Sequence, residues 1–248
     1  MKTITILGGN GYVGRKCVKR LLLNDSNAVV NVISRRGLDL EKLELGKEYF
    51  SRINNVIADS LNPEDYKDVL LSSTGVIHSI GALMTLADKN SKNSYEMKNK
   101  QSALRPAKFI NDNSQLEKIN FVYISAQRGI TFPLSLLFKG YIETKRETEN
   151  ELKKLNRLSV TILKPGIIKD KLTRPEVTPL YNIVNITSKI EKTYLNKVCS
   201  NIGESLQLPS EGTELEVLAE VAALSALGLV ERKEFSSLDL QEYKLGDK

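Results

Sequence analysis

The sequence predicts an α/β protein built on a doubly wound parallel sheet, followed by a small, mostly helical C-terminal region. Three observations predict it. From residue 3 to about residue 165, short apolar runs alternate with amphipathic stretches of helical period, the rhythm of βαβ units that cover both faces of a parallel sheet. The first apolar run ends in a glycine-rich turn that opens a helix, as the leading unit of such a sheet requires. With 248 residues, 41% hydrophobic and 27% charged, the chain can build a core without metals or staples, and it is neither disordered nor collagen-like in composition.

In chain order, Thr3-Ile4-Thr5-Ile6-Leu7 reads as the first strand, with no basic, Ser-rich or apolar leader before it, so a cleaved presequence is not expected. A helix is expected from Gly14 to Asn24 and a strand from Ala28 to Ser34, then a strand over Asn55 to Asp59 and a helix over Pro63 to Leu71. Gly75 to Ser79 supplies the fourth strand and Tyr95 to Asn111 the next helical stretch. The strand Asn120 to Ser125, the helix Tyr141 to Leu155 and the strand Ser159 to Lys164 follow. After Lys164-Pro165-Gly166 the rhythm breaks, with helical periods at Leu180 to Val198 and Glu214 to Leu229. Residues 1–165 are therefore expected to form the nucleotide-binding domain and 166–248 a substrate or partner region over the carboxyl ends of the strands, where such sheets bind ligands. The charged tail from Glu231 is expected to be peripheral or frayed.

Charge and soft ligands narrow the function. Thirty-six Lys plus Arg against thirty Asp plus Glu gives +6, spread along the chain; this suits a phosphate ligand or an anionic membrane surface and argues against nucleic acid. Two distant cysteines, Cys17 and Cys199, and the single histidine His78 make a zinc site or disulfide framework improbable and point to a reducing compartment. No metal is expected. The uncharged apolar run Gly129 to Phe138, ten residues, is too short to cross a bilayer.

The sharpest signal is Gly8-Gly9-Asn10-Gly11-Tyr12-Val13-Gly14, directly after the first strand. Glycine at 8, 11 and 14 permits a tight turn and close approach of backbone to a pyrophosphate resting on the helix N-terminus. That makes the sheet Rossmann-type, with Gly8, Gly11, Tyr12, Val13 and Gly14 around the dinucleotide. The competing reading is a βα turn that only needs tight packing. At the end of the second strand Ser34-Arg35-Arg36 appears, and no carboxylate until Asp39. A guanidinium fork suits a 2′-phosphate, so NADP(H) is preferred, NAD(H) remains possible, and an exposed basic loop is the alternative. Asp59 is a candidate for the adenine edge or a helix N-cap, and His78 for the nicotinamide-side ribose, although a lone histidine ending an apolar run is more often a core residue.

The second signal is Tyr141-Ile142-Glu143-Thr144-Lys145. Residues four apart share a helical face, so the Lys145 ammonium is expected near the Tyr141 phenol, lowering its pKa towards proton transfer. Tyr12 and Lys16 repeat the spacing inside the glycine turn, where packing or cover for the cofactor explains the tyrosine better. Ser125, at the end of the fifth strand, is expected to hydrogen-bond a carbonyl oxygen, completing a hydride-transfer site. Asn99 could reach it, although an amide on a helix surface is the commoner outcome. Pro165 could let backbone approach the nicotinamide; an ordinary strand-ending turn is the alternative.

Together these residues resemble the extended and atypical short-chain dehydrogenase/reductase superfamily across nearly the whole chain. More narrowly, Gly8-Gly9-Asn10-Gly11, His78-Ser79-Ile80-Gly81, Tyr95 to Ala103, Tyr123-Ile124-Ser125-Ala126 and Gly140 to Glu147 resemble a fungal mitochondrial group of atypical reductases associated with coenzyme Q biosynthesis, related to the NAD(P)H-binding accessory subunit of complex I. The resemblance implies catalytic Ser125, Tyr141 and Lys145, with Lys145 also on the ribose, and a hydrophobic quinone-like or prenylated substrate. It further implies the matrix side of the inner mitochondrial membrane, with the proteins of the coenzyme Q biosynthetic complex as partners. A non-catalytic NADPH-binding scaffold of a mitochondrial membrane complex is the alternative.

Two segments add a possible lipid contact. Phe132 to Phe138 is too apolar for an ordinary loop, and must bury against protein, a prenyl tail or the membrane interface. Leu180 to Val198 carries apolar residues at helical spacing beside Lys189, Lys192 and Lys197, as an interfacial helix or a core helix does.

Overall fold

The computed structural model describes residues 1–82, 91, 94–127, 139–169 and 212–243. Seven strands form one parallel sheet: β1 (Thr3–Leu7), β2 (Val29–Ser34), β3 (Ile53–Ile57), β4 (Gly75–His78), β5 (Ile119–Ile124), β6 (Leu158–Leu163) and, last in the chain, Glu234–Phe235. In space they run β3-β2-β1-β4-β5-β6 and then the 234–235 strand. The order reverses between β1 and β4, so the ends of those strands flank the crevice where doubly wound sheets bind ligands. The predicted fold class is the observed one.

Strand periodicity explains the two layers. Ile4, Ile6, Val30, Val32, Ile77 and Val122 point to one face, where α1 (Tyr12–Asn24) and the late helix Leu215–Ala226 cover them. Leu7, Ile33, Val76, Phe121 and Tyr123 point to the other, beneath α2 (Lys67–Leu71), α3 (Ser102–Asn113) and α4 (Lys139–Leu152). Each such side chain, fully buried, stabilises the fold by roughly 1.5–3 kcal/mol before the entropy of ordering is counted. Helix α1 ends where Arg52 reaches back: its Nη2 donates to the Leu22 carbonyl and its Nη1 to that of Asp25, at 2.8 and 2.7 Å, satisfying carbonyls the last turn leaves open.

Polar side chains cross the sheet at one level. Thr5 on β1 stands opposite Asn31 on β2, and Asn31 opposite Asn54 on β3. Asn54 Nδ2 donates to Asn31 Oδ1, and Asn31 Nδ2 to Thr5 Oγ1, which lies 2.6 Å from Ser73 Oγ.

Past residue 165 the expected helix over Glu214 to Leu229 is present, but its placement and that of the charged tail differ from expectation. The helix Leu215–Ala226, α5 here, lies against α1 rather than across the strand ends, and all but one of its residues are buried. Lys16 and Arg20 of α1 each bind Glu216 at 2.6 Å. β7 (Ile168–Lys169) and β8 (Thr213–Glu214) form a small parallel pair, and the charged tail, described as far as residue 243, is not peripheral, because β9 (Glu234–Phe235) joins the main sheet beside β6. The helix α6 (Ser237–Glu242) follows, started by a capping box between Ser236 and Asp239. Phe235 and Leu240 anchor this segment in the core, so the run of surface charge hides a strand only two residues long.

The apolar stretch 132–138 and the amphipathic segment 180–198 lie outside the described residues. Among the described residues no helix is long and apolar enough to cross a membrane.

Candidate functional site

The glycine turn divides its work among its glycines. Gly8 has φ +85°, and a β-carbon there would stand 2.6 Å from Ile80 Cγ1; both facts demand glycine. At Gly14 a β-carbon would meet the Gly9 Cα at 2.7 Å and Ser79 Oγ at 2.9 Å, so this glycine packs helix on strand. Gly11 is different: a β-carbon would meet only the Gly8 carbonyl oxygen, at 3.0 Å, with open space beyond. Gly11 is also the N-cap of α1, without a side-chain cap and with no acidic residue in the first turn. The helix therefore presents open N–H donors and its positive end at an exposed glycine, a cradle for a phosphate. Val13 packs on the core and Tyr12 is half-buried beside it. Lys16 is engaged by Glu216, so the Tyr12 and Lys16 spacing belongs to the α1–α5 interface.

At the end of β2 the Ser34 hydroxyl is buried with no hydrogen-bond partner among the described residues. Arg35 and Arg36 follow in an exposed turn, and neither guanidinium pairs with a described carboxylate. Asp39 is held by Lys42 at 2.9 Å, which keeps its carboxyl below the usual range, while its N–H donates to Asn10 Oδ1. A buried hydroxyl and two guanidinium groups without partners among the described residues, together with an open helix N-terminus, suit phosphate groups. Asp59 lies past the end of β3, where its Oδ1 accepts from the Leu61 N–H at 3.1 Å. It closes a turn instead of capping a helix.

The imidazole of His78 is fully buried, with Nε2 2.9 Å from Ser102 Oγ and its ring 5.5 Å from that of Tyr123. Burial, and then the nearby Lys145 ammonium, hold it well below its ordinary pKa. This corrects the expectation that the side chain faces the ribose, since it belongs to the core between β4 and α3. Pro165 is buried, and its carbonyl accepts from the Gln127 N–H at 2.8 Å, tying the chain after β6 to the end of β5.

Helix α4 carries Tyr141 and Lys145 one turn apart. Lys145 is 2% exposed, and its Nζ donates to the Ile124 carbonyl at 2.8 Å. The ammonium stands 4.7 Å over the Tyr123 ring and 5.9 Å over that of Tyr141, where ring quadrupoles partly replace lost water. Burial pulls Lys145 down to about 7, against the Glu149 carboxylate, which raises it. The phenol of Tyr141 moves the other way: burial, then the neighbouring Tyr95, push it up to about 12. The expected lowering by Lys145 is not found, because the ammonium lies over the ring and gives its hydrogen bond to backbone. A phenol so placed keeps its proton at neutral pH, and next to it lies an amine poised near neutrality.

Ser125 is buried at the end of β5, and its Oγ donates to Glu149 Oε1. Its proton is therefore committed within the protein, which differs from the expected donor to a substrate carbonyl. Sequence reasoning passed over Glu149, although it continues the Tyr141 and Lys145 spacing by a further four residues on the same face. It also underrated Asn99, which is fully buried in a π-helical turn (Glu96–Gln101) ahead of α3. A widened turn there fits the missing N–H of Pro106, which cannot donate to Ser102. The Asn99 side chain clamps both backbone groups of Ala82, at 2.8 and 3.1 Å, and the Asn99 backbone carbonyl accepts from the Tyr123 hydroxyl at 2.9 Å.

Comparison with known proteins agrees with this fold. Residues 8–192 match a family described as NAD(P)H-binding. MIOREX complex component 2 of Saccharomyces cerevisiae is 30% identical, over 68% of this chain and 73% of that protein. Among solved structures, a short-chain type dehydrogenase/reductase from Mycobacterium ulcerans superposes with a TM-score of 0.60 at 16% identity, covering 97% of this chain and 90% of that one. NAD+-bound xylitol dehydrogenase gives 0.61 at 14% identity, covering 94% and 95%. The enzyme WbmF of Bordetella bronchiseptica in complex with NAD+ gives 0.59 at 14% identity, covering 95% and 72%.

Proposed function

The chain belongs to the NAD(P)H-binding family, and from that premise we propose that it is an NADPH-dependent reductase of the atypical short-chain dehydrogenase/reductase kind. The observation that carries the proposal is the buried ammonium of Lys145, held beside the Tyr141 ring at the carboxyl ends of the strands, one crevice away from the open N-terminus of α1. The pyrophosphate rests at Gly11 and the first turn of α1, and the 2′-phosphate meets Ser34, Arg35 and Arg36. Bound NADPH supplies the hydride. Tyr141, a phenol that retains its proton at neutral pH, gives that proton to the reduced oxygen, which suits reduction better than oxidation. Lys145 holds the nicotinamide ribose and, with its pKa near neutrality, restores the proton to Tyr141. Ser125 is next in the chain to Ile124, whose carbonyl Lys145 binds.

The substrate is proposed to be quinone-like or prenylated, on the group resemblance stated above. A mitochondrial setting and complex partners, those of coenzyme Q biosynthesis among them, draw support from the name of the yeast relative, a complex component. One observation favours a second reading, an NADPH-binding scaffold without turnover: the Ser125 proton is already given to Glu149.

Titrating the full chain with NADPH and then adding a short-chain prenylated benzoquinone separates the two. Oxidation of NADPH that requires the quinone and disappears in Tyr141→Phe supports the reductase. Binding that raises the thermal midpoint without oxidation supports the scaffold, and failure to bind NADPH overturns both.

A further inference from the structure

The end of β5 is gripped twice by α4, one helical turn apart. Lys145 donates to the carbonyl of Ile124, and Glu149 accepts from the hydroxyl of Ser125, the next residue. Glu149 is 3% exposed, a place where a carboxylate persists only if it is well paired. Its pairing is dense: Arg146 Nη1 also donates to Oε1, and Lys164, at the end of β6, stands 3.3 Å from Oε2. Arg146 Nη2 continues to the Ala126 carbonyl at 2.6 Å. Lys164 is shared with Glu234 of β9, which also binds Lys153 at 3.1 Å. Three elements thus converge on a single carboxylate with no role in the steps described above.

We propose that Glu149 is a positioning residue of this site, which holds the Ser125 hydroxyl and supplies the counter-charge for the buried Lys145 ammonium, and so acts on substrate through those two groups. The inference rests on the reading that Ser125 and Lys145 serve the reaction. The groups that bear on Lys145 are Tyr123 from β5, the neutral His78 from β4, and Tyr141, Arg146 and Glu149 from α4. Among these Glu149 is the anion that favours its protonated form, while burial and Arg146 oppose it. The anion has two tasks: its hydrogen bond fixes the Ser125 hydroxyl, and one helical turn from Lys145 its charge favours the protonated amine in a dry place.

The test reads Lys145 directly, in the full-length protein labelled with 13C-lysine. The Lys145→Arg spectrum identifies the Lys145 Cε signal, whose midpoint is followed with pH in wild type, Glu149→Gln and Glu149→Asp. Removing the charge should lower the midpoint by about one unit or more, whereas the Asp variant should stay close to wild type. Loosened packing would hydrate the ammonium and raise its midpoint towards the ordinary lysine value of about 10.4, so the sign separates positioning from mere structure. An unchanged or raised midpoint in Glu149→Gln overturns the proposal. Should that variant fail to fold, Glu149→Asp decides: a midpoint near wild type supports the charge role, and a rise towards the ordinary value overturns it. NADPH is titrated into the same samples; if wild type does not bind it, the reductase reading fails while the lysine result still stands on its own.

Discussion

The ammonium of Lys145 lies 5.9 Å from the centre of the Tyr141 ring and gives its hydrogen bond to the carbonyl of Ile124. Lysine and tyrosine are therefore neighbours whose proton affinities are set separately, the one lowered to about 7 by burial and the other raised to about 12.

The lowered value makes Lys145 a liability for stability near neutrality. Between pH 7 and the ordinary lysine pKa the unfolded chain binds a proton that the folded chain releases, so the stability it costs is regained as pH rises. The thermal midpoint of the wild type should therefore gain on that of Lys145→Met at low pH less than at pH 9.5. Parallel curves for the two proteins between pH 6.5 and 9.5 would show that the lysine is not desolvated.

Gly11 and Gly14 should fail in opposite ways. Gly14→Ala forces a β-carbon against Gly9 and Ser79 and should lower the thermal midpoint, with overpacking costing about 1–3 kcal/mol. Gly11→Val places its β-carbon 3.0 Å from the Gly8 carbonyl oxygen with open space beyond, so it should lower the thermal midpoint less than Gly14→Ala does while NADPH binding is lost. Unchanged affinity in Gly11→Val would put the pyrophosphate elsewhere.

Arg35 and Arg36 are exposed and unpaired by any described carboxylate, so replacing both with Ala should cost the fold little. NADPH should weaken by about 1.5–3 kcal/mol per charge-assisted hydrogen bond lost, and NADH far less. Equal losses measured by calorimetry would remove the basis for NADP selectivity.

His78 is the single histidine of the chain, which makes its state easy to read. Burial lowers its pKa in the folded protein, so as pH falls below about 6.5 the unfolded chain gains a proton that the native imidazole refuses, and stability is lost. Its two ring C–H signals should hold their neutral positions as pH is lowered, until unfolding begins. A smooth titration with a midpoint near 6.5 would place the ring in solvent.

The succession of strands and helices up to residue 165 was legible because its signals are local. Period two in Ile4 to Leu7 and period near 3.6 in α1 are written in adjacent residues. What escaped depended on distant partners. The two residues of β9 are too few to show a period, and only pairing with β6 makes them a strand. Asn99 read as a surface amide because its partner, Ala82, lies in a loop seventeen residues away. The glycine turn and the Tyr141 and Lys145 pair were visible as spacings, whereas the direction of the Ser125 proton was not, since it is decided by Glu149.

The row of Thr5, Asn31 and Asn54 does something the apolar residues around it cannot. Valine and isoleucine tolerate almost any neighbour of similar shape, so a sheet held by them alone could settle with its strands shifted along one another. A shift of β2 or β3 by one residue would turn these amides to the opposite face and leave their partners buried and unsatisfied, at about 1–3 kcal/mol for each group. Three short polar side chains thus act as a key that admits a single alignment, and that alignment sets Leu7 opposite Ile33 and so brings Gly8 and Ser34, at the ends of neighbouring strands, level with one another.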